Sequence, residues 1–271
     1  MSQQKVLEPM TKTTNIGSTK VPEVTLGFWA IKIIATTLGE VGGNAVTMTM
    51  GLGYSMGTLI FAVPLIIAVT AQIKSKHFHR FLYWAVITLT TLAGTTLADF
   101  CDRSLGIGYM GGSLSLFTLV MLTLGLWYKC LGSVDINSIV SPTTECFYWA
   151  TIMFSQTLGT ALGDWMADSS GLGYNGSALL IAGLLAVLGA LFYFTRISRV
   201  ALFWAAFILT RPLGATVANS LDKPISHGGL GINDISCSVV FSILMIVCLL
   251  LIPQKAGRHS NIGNSTDSSR D

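Results

Sequence analysis

One motif recurs four times along the chain: an aromatic residue followed by Trp-Ala. It reads Phe28-Trp29-Ala30, Tyr83-Trp84-Ala85, Tyr148-Trp149-Ala150 and Phe203-Trp204-Ala205, with tryptophan spacings of 55, 65 and 55. Ten residues after each Trp comes a glycine: Gly39, Gly94, Gly159 and Gly214. A Gly-x-Gly turn follows: Gly51-Leu52-Gly53-Tyr54, Gly106-Ile107-Gly108-Tyr109, Gly171-Leu172-Gly173-Tyr174 and, after a three-residue insertion, Gly229-Leu230-Gly231-Ile232. Repetition at a fixed period means one small unit used four times, each burying its apolar face against its neighbours.

The content of the units places them in a membrane. The 271 residues are 51% hydrophobic and only 11% charged, against roughly 25% charged in soluble domains. Stretches long enough to cross a bilayer, about 20 residues, lie at 27–47, 54–73, 81–100, 110–131, 146–165, 174–195, 200–219 and 235–253. The expected fold is all-α: a polytopic membrane protein of eight transmembrane helices. Each unit holds two helices, so all four enter from the same side and form parallel repeats. The spans map onto repeats 26–80, 81–135, 146–199 and 200–253, flanked by a polar N-terminal tail, 1–25, and a tail at 254–271 expected to be disordered.

The even helices carry uncharged stretches (Leu59–Val69, Leu116–Leu126, Leu179–Phe194 and Val239–Ile252), which suit lipid contact. The odd helices are rich in Gly, Ala and Thr and carry ionisable groups, which suit close packing away from lipid. The odd helices are therefore expected inside and the even ones outside. Gly183 and Gly189 on an outer helix leave room for a homo-oligomer.

Lys and Arg set the orientation. Lys5, Lys12, Lys20, Lys74, Lys76, Arg80, Lys129, Arg196, Arg199, Lys255 and Arg258 fall on one side, and only Arg103 and Lys223 on the other. Both termini are expected in the cytoplasm, with the first helix an uncleaved signal anchor in a bacterial inner membrane. The basic residues are scattered, which argues against a nucleic-acid partner.

Every fourth residue of the odd helices traces a polar stripe. The first helix gives Lys32, Thr36, Glu40 and Asn44; the second Thr91, Thr95, Asp99 and Arg103; the third Gln156, Thr160, Asp164 and Asp168; the fourth Arg211, Ala215, Asn219 and Lys223. Spacing of four keeps each set on one helix face. Asp102 and Asp222 sit at a further matched position. Four such stripes around an axis would line one cavity. Arg211 and Gln156 fall ~15 Å in, near the midplane, at ~1.5 Å per residue. A charge there costs about 2.5–3.5 kcal/mol on insertion scales, so Glu40 and Arg211 are expected to pair or to face water. Lys32 lies one or two turns deep, where it could snorkel.

Six acidic groups in the stripe (Glu40, Asp99, Asp102, Asp164, Asp168 and Asp222) face four basic ones (Lys32, Arg103, Arg211 and Lys223). The acidic excess favours a small cation over an anion. Oxygen ligands without His or Met suit hard ions such as manganese, magnesium or calcium, or protons. The expected ion site is Glu40, Asn44, Asp99, Asp102, Asp164, Asp168, Asn219 and Asp222, with Glu40, Asp99 and Asp164 as the metal set. Lys32 and Arg211 serve as countercharges or gates, and Thr36, Thr95, Gln156 and Thr160 as polar lining. No covalently bound cofactor is expected beyond a transported divalent cation or proton. The partners are the lipid bilayer and that cation. The cysteines Cys101, Cys130, Cys146, Cys237 and Cys248 form no CxxC pair, and no HExxH motif or nucleophile–histidine arrangement marks an enzyme.

The run Val21-Pro22-Glu23-Val24-Thr25, then Lys32, Thr36-Thr37-Leu38-Gly39-Glu40 and Gly51-Leu52-Gly53-Tyr54 resembles a bacterial integral membrane family. It is built from a repeated domain of unknown function and labelled "uncharacterised membrane-anchored protein". The resemblance covers residues 21–253. The family pattern places an Asp four residues after the Gly-Glu of the first repeat; this chain has Asn44 there and keeps Asp164 at the matched site of the third. The resemblance supports the fold and implies no settled activity. Two functions compete: a transporter for a small cation, and a non-transporting sensor or assembly protein whose buried ion pairs are structural.

Overall fold

The computed structural model describes residues 18–258. Lys5, Lys12, His259 and the tail beyond lie outside the described residues. Eight long helices dominate: α1 Leu26–Asn44, α2 Tyr54–Lys74, α3 Arg80–Asp99, α4 Tyr109–Leu131, α5 Pro142–Asp164, α6 Gly173–Phe194, α7 Arg199–Asp222 and α8 Asp234–Leu251. Two short strands, β1 Ser18–Pro22 and β2 Ala256–Arg258, pair antiparallel. This pairing corrects the expectation of disorder at the start of the C-terminal tail: Ala256–Arg258 is a strand, tied to the segment just before α1.

Local chemistry sets the helix ends. Thr25, Ser141 and Ser198 cap α1, α5 and α7 by accepting from backbone N–H groups three residues on, and Pro142 opens α5 where no N–H is needed. The first three repeats then do something the residue pattern does not announce. Their inner helices end in a π-helical turn, Ala45–Thr49, Phe100–Ser104 and Trp165–Ser169. The Gly-x-Gly motif reverses the chain immediately after. Gly51, Gly53, Gly106, Gly108, Gly171 and Gly173 all hold φ between 65° and 78°, a region that side-chain-bearing residues rarely enter. The fourth repeat has no such π turn: α7 runs through Asp222, and the three-residue insertion supplies a short 3₁₀ turn, Ile225–His227, before α8.

The odd helices form a closed ring, α1 on α3, α3 on α5, α5 on α7 and α7 back on α1. Two repeated contacts define it. In the first, the aromatic before each Trp meets the Trp of the next repeat: Phe28 on Trp84, Tyr83 on Trp149, Tyr148 on Trp204, and Phe203 on Trp29, with ring centroids 5.4, 5.6, 6.2 and 5.8 Å apart. In the second, the glycine ten residues after each Trp abuts the next inner helix. A Cβ on Gly39 would strike Thr91, on Gly159 Arg211 and on Gly214 Thr36, and one on Gly94 would crowd Thr157 and Gln156 at 3.1 and 3.2 Å. Both contacts run once around and close on themselves, so the fourfold repeat in sequence is fourfold in space.

The even helices lie outside this ring and bury few residues. Their apolar side chains stay exposed, Leu179 at 75% and Ile66 at 65% among them, as a lipid-facing surface requires. Among the described residues, six helices are long and apolar enough to cross a membrane, counting α3 together with its π turn; α1 and α5 are not among them. The reason is their position: helices enclosed by other helices can carry Lys, Glu, Gln and Asp that lipid would not accept. Pro64 and Pro212 lie inside α2 and α7, which continue through them.

The strands strap the Trp end of the bundle. Lys20 on β1 pairs with Glu145 on α5 and donates to the Ile73 carbonyl at 3.0 Å. Trp84 Nε1 donates to Gln254 Oε1 at 3.3 Å, and Trp204 Nε1 to the Val134 carbonyl at 3.0 Å.

The close glycine contacts generate a prediction. Gly159→Ala would drive a Cβ into the Arg211 side chain, whereas Gly183 has open space around it. Overpacking of this kind costs about 1–3 kcal/mol, while Gly→Ala in an uncrowded helix gains up to about 1 kcal/mol. In thermal unfolding of detergent-purified protein, Gly159→Ala should lower Tm by several degrees and Gly183→Ala should hold or raise it.

Candidate functional site

Aligning the inner helices on their Trp residues stacks the stripe into layers. Three residues past each Trp lie Lys32, Ile87, Ile152 and Phe207; seven past lie Thr36, Thr91, Gln156 and Arg211; eleven past lie Glu40, Thr95, Thr160 and Ala215; fifteen past lie Asn44, Asp99, Asp164 and Asn219. Every one of these residues is buried. The stripe therefore packs against itself instead of lining the open cavity that four polar faces would suggest.

Arg211 occupies the centre. Its Nη2 lies 2.9 Å from Glu40 Oε2 on α1, 2.6 Å from the Thr95 hydroxyl on α3 and 2.6 Å from the Thr160 hydroxyl on α5. Its Nη1 donates to the Thr36 carbonyl at 3.4 Å. One side chain thus touches all four repeats. The neighbours are arranged for it. The Thr95 hydroxyl donates to the Gly39 carbonyl at 3.0 Å, which leaves a lone pair for the guanidinium. Gly159 yields the space in which the Arg211 stem lies. The expected pairing of Glu40 with Arg211 is present, and both side chains are sealed from solvent, at 2% and 0% exposure. An arginine suits this position because it stays charged in any protein environment and carries several donors in a fixed plane.

The next layer toward the glycine turns is held by Arg103. Its Nε lies 2.9 Å from Asp99 Oδ1 and its Nη2 3.4 Å from Asp164 Oδ2, while Asn219 Nδ2 donates to Asp164 Oδ1 at 3.3 Å. Arg103 also donates to the Tyr54 hydroxyl at 3.4 Å and lies over the rings of Tyr54 and Tyr109. One-third exposed, it closes this layer toward the outside. Asn44 Nδ2 donates to Asp222 Oδ2 at 3.4 Å, and Lys223 lies 3.9 Å from Asp222 Oδ1.

Several expected site residues take other positions. Asp102 does not face the ring. It lies against Gly112 of α4, because the π turn at Phe100–Ser104 changes the angular register of α3 at that point. Asp168 is exposed and accepts from the Tyr174 hydroxyl at 3.2 Å. Lys32 does not snorkel. It is fully buried with Nζ 3.8 Å from the Phe207 ring centroid, since the aromatic ring and the strand strap close the end it would have to reach. Glu40, Asp99 and Asp164 do not gather as a ligand set: among the described residues, no three His, Cys, Asp or Glu side chains could hold a metal ion together. Glu40 is held by Arg211, and the two aspartates by Arg103.

Two pairs of tyrosines are not legible from the stripe. Tyr54 and Tyr109, recorded only as parts of glycine turns, provide the aromatic faces beneath Arg103. Tyr83 and Tyr148 share a hydrogen bond of 2.6 Å between their buried hydroxyls, which places a polar contact within the aromatic closure. The signal was present, since repeats two and three have Tyr where one and four have Phe.

A ring of four two-helix units with a buried, charged centre and an apolar rim defines an all-helical membrane protein with an internal repeat. The chain belongs to the family described as Repeat of Unknown Function (DUF347), whose model matches at residues 27–78, 82–130, 147–198 and 202–252. Comparison with curated proteins gives no match, and comparison with solved structures gives none.

Arg103 is the only cation beside Asp99 and Asp164 in the hydrogen-bonding geometry of the described residues. Arg103→Gln should leave two neighbouring carboxylates facing each other and lower Tm by a few degrees. Adding Asp164→Asn should restore part of that loss. Differential scanning fluorimetry on the three variants measures it, and no recovery in the double variant would contradict the arrangement.

Proposed function

We propose that the chain is an integral membrane transporter for a small cation, with the Arg211–Glu40 pair as its central gate. The observation that carries this reading is the pair itself: a carboxylate and a guanidinium sealed together at the heart of the ring. A buried ion pair is poor value as a stabiliser, because desolvation offsets its attraction and apolar residues often do better. Its placement on the axis, with further carboxylates stacked toward one end, suits a path on which charge is handed from Asp99 and Asp164 to Glu40.

Two cargo classes were open, a hard divalent metal and a proton-coupled substrate. Resident arginines on Glu40, Asp99 and Asp164 favour the second. A proton arriving at Glu40 neutralises the carboxylate and releases Arg211, and a cation competing for the same oxygens does so by displacement. Release of Arg211 frees the α1–α7 contact, the step that would let the ring open on the other side.

In this reading all eight helices span the membrane as four parallel repeats, with α1, α3, α5 and α7 inside and α2, α4, α6 and α8 outside. The membrane is the bacterial inner membrane, and the strapped Trp end faces the cytoplasm. The basic residues support that orientation: Lys20, Lys74, Lys76, Arg80, Lys129, Arg196, Arg199 and Lys255 flank the strapped end, and Arg103 and Lys223 the glycine-turn end.

A second reading has its own observation. The terminal nitrogens of Arg211 are bonded from the other three repeats, and the layers around it are buried, as in a membrane sensor or assembly protein whose ion pairs only fix the bundle. Flux decides between them. In proteoliposomes with an imposed pH gradient and a panel of monovalent and divalent cations, wild type should move one class. Glu40→Gln should reduce flux to background while still unfolding cooperatively on heating, and Arg211→Ala should change its rate or coupling. Undiminished flux in Glu40→Gln contradicts the assignment, and absence of any flux in wild type favours the structural reading.

A further inference from the structure

The ring centre holds more positive charge than its partners balance. Across the layers from Lys32 to Glu40 there are two cations, Lys32 and Arg211, and one carboxylate, Glu40, which Arg211 already engages at 2.9 Å. Lys32 is fully buried, and among the described residues its Nζ has no hydrogen-bond partner. The Phe207 ring lies 3.8 Å from it, and a cation–π contact is weaker than a full countercharge. It is not alone. Both amide atoms of Gln156 and the Nε of Arg211 are buried without partners as well.

These atoms belong to one neighbourhood. Phe207, under the Lys32 ammonium, is one turn before Arg211 on α7, and Thr36, one turn after Lys32 on α1, accepts from Arg211 Nη1 through its carbonyl at 3.4 Å. Thr160, one turn after Gln156 on α5, touches the Arg211 guanidinium at 2.6 Å. Helices α1 and α5 both pack on α7. Three helices thus bring an ammonium, a guanidinium N–H and an amide NH₂ to the strap side of the Arg211–Glu40 pair. Unmet donors in a buried site are costly, more so when charged, so a cluster of them marks a place built for an acceptor.

We propose that a small monovalent anion, of the size of chloride or formate, binds between Lys32, Gln156 and Arg211 and balances the second buried cation. It is a resident ion distinct from the cation proposed as cargo, and it sits on the opposite side of Arg211 from Asp99 and Asp164. In this position it competes with Glu40 for Arg211, so weakening Glu40 tightens the anion.

The test uses the full chain in detergent, first exchanged into sodium gluconate, whose anion is too large for the site. Gluconate is then replaced by chloride or formate at constant ionic strength while thermal unfolding is followed. Wild type should show a saturable rise in Tm of several degrees. Lys32→Met should abolish the saturable part, Lys32→Arg should keep it, and Glu40→Gln should saturate at lower anion concentration. Identical unfolding in gluconate and chloride, or an undiminished saturable shift in Lys32→Met, overturns the proposal. If Lys32→Met does not fold, Gln156→Leu replaces it, and an unchanged half-saturation concentration there overturns the proposal equally. These readouts are independent of flux, so loss of transport in Glu40→Gln leaves them interpretable.

Discussion

A guanidinium cannot be left alone in the middle of a helical membrane protein. Arg211 stays charged wherever it is placed, and an unpaired charge at that depth would cost more than most single contacts return. The surrounding ring can be understood as the answer to that constraint. Glu40 supplies the countercharge, Thr95 and Thr160 supply hydroxyl oxygens, Thr36 supplies a carbonyl, and Gly159 supplies room. Each comes from a different place on the other three inner helices. A single side chain therefore couples the four repeats, and their registers must agree for its bonds to be made.

The repeats themselves are not identical around this centre, and the differences are where the chemistry lies. The layer seven residues past each Trp has Thr, Thr, Gln and Arg, and the layer eleven past has Glu, Thr, Thr and Ala. A symmetric scaffold of glycines and aromatics carries an asymmetric set of polar groups. The aromatic closure and the glycine contacts go round without a break. The polar contacts concentrate on α1 and α7, the seam where the last repeat meets the first. That seam is also where the fourth repeat departs from the other three, ending in an α-helix without a π turn and a longer connection.

Much of this was legible in the residues. The fourfold repeat, the helix pairs, the apolar outer helices and the Glu40–Arg211 pairing all follow from period, hydropathy and the cost of buried charge. Spacing of four correctly placed Glu40, Thr95, Thr160 and Asp164 toward one another's helices. The match between Asp102 and Asp222 did not bring Asp102 to the ring, because such matching assumes a regular α-helix and the π turn breaks that register. Depth alone misplaced Lys32, because snorkelling requires an open helix end, and that end is closed by the aromatic ring and by a long-range pairing of β1 with β2 that no local pattern encodes. The expected metal set failed for a related reason. Position along a helix shows which carboxylates share a level but not which cation reaches each first, and two arginines reach them.

The central claim is that Arg211 and Glu40 are energetically coupled within one buried network, and a double-mutant cycle measures that coupling. Unfolding free energies for wild type, Glu40→Gln, Arg211→Met and the double variant isolate the pairwise term. Removing one partner of a buried pair costs about 3–5 kcal/mol, largely because the other is stranded. The double variant should therefore be less destabilised than the sum of the singles, by about 2 kcal/mol or more. Additive single effects would mean that the two side chains do not depend on one another, and the account built on their contact would not stand.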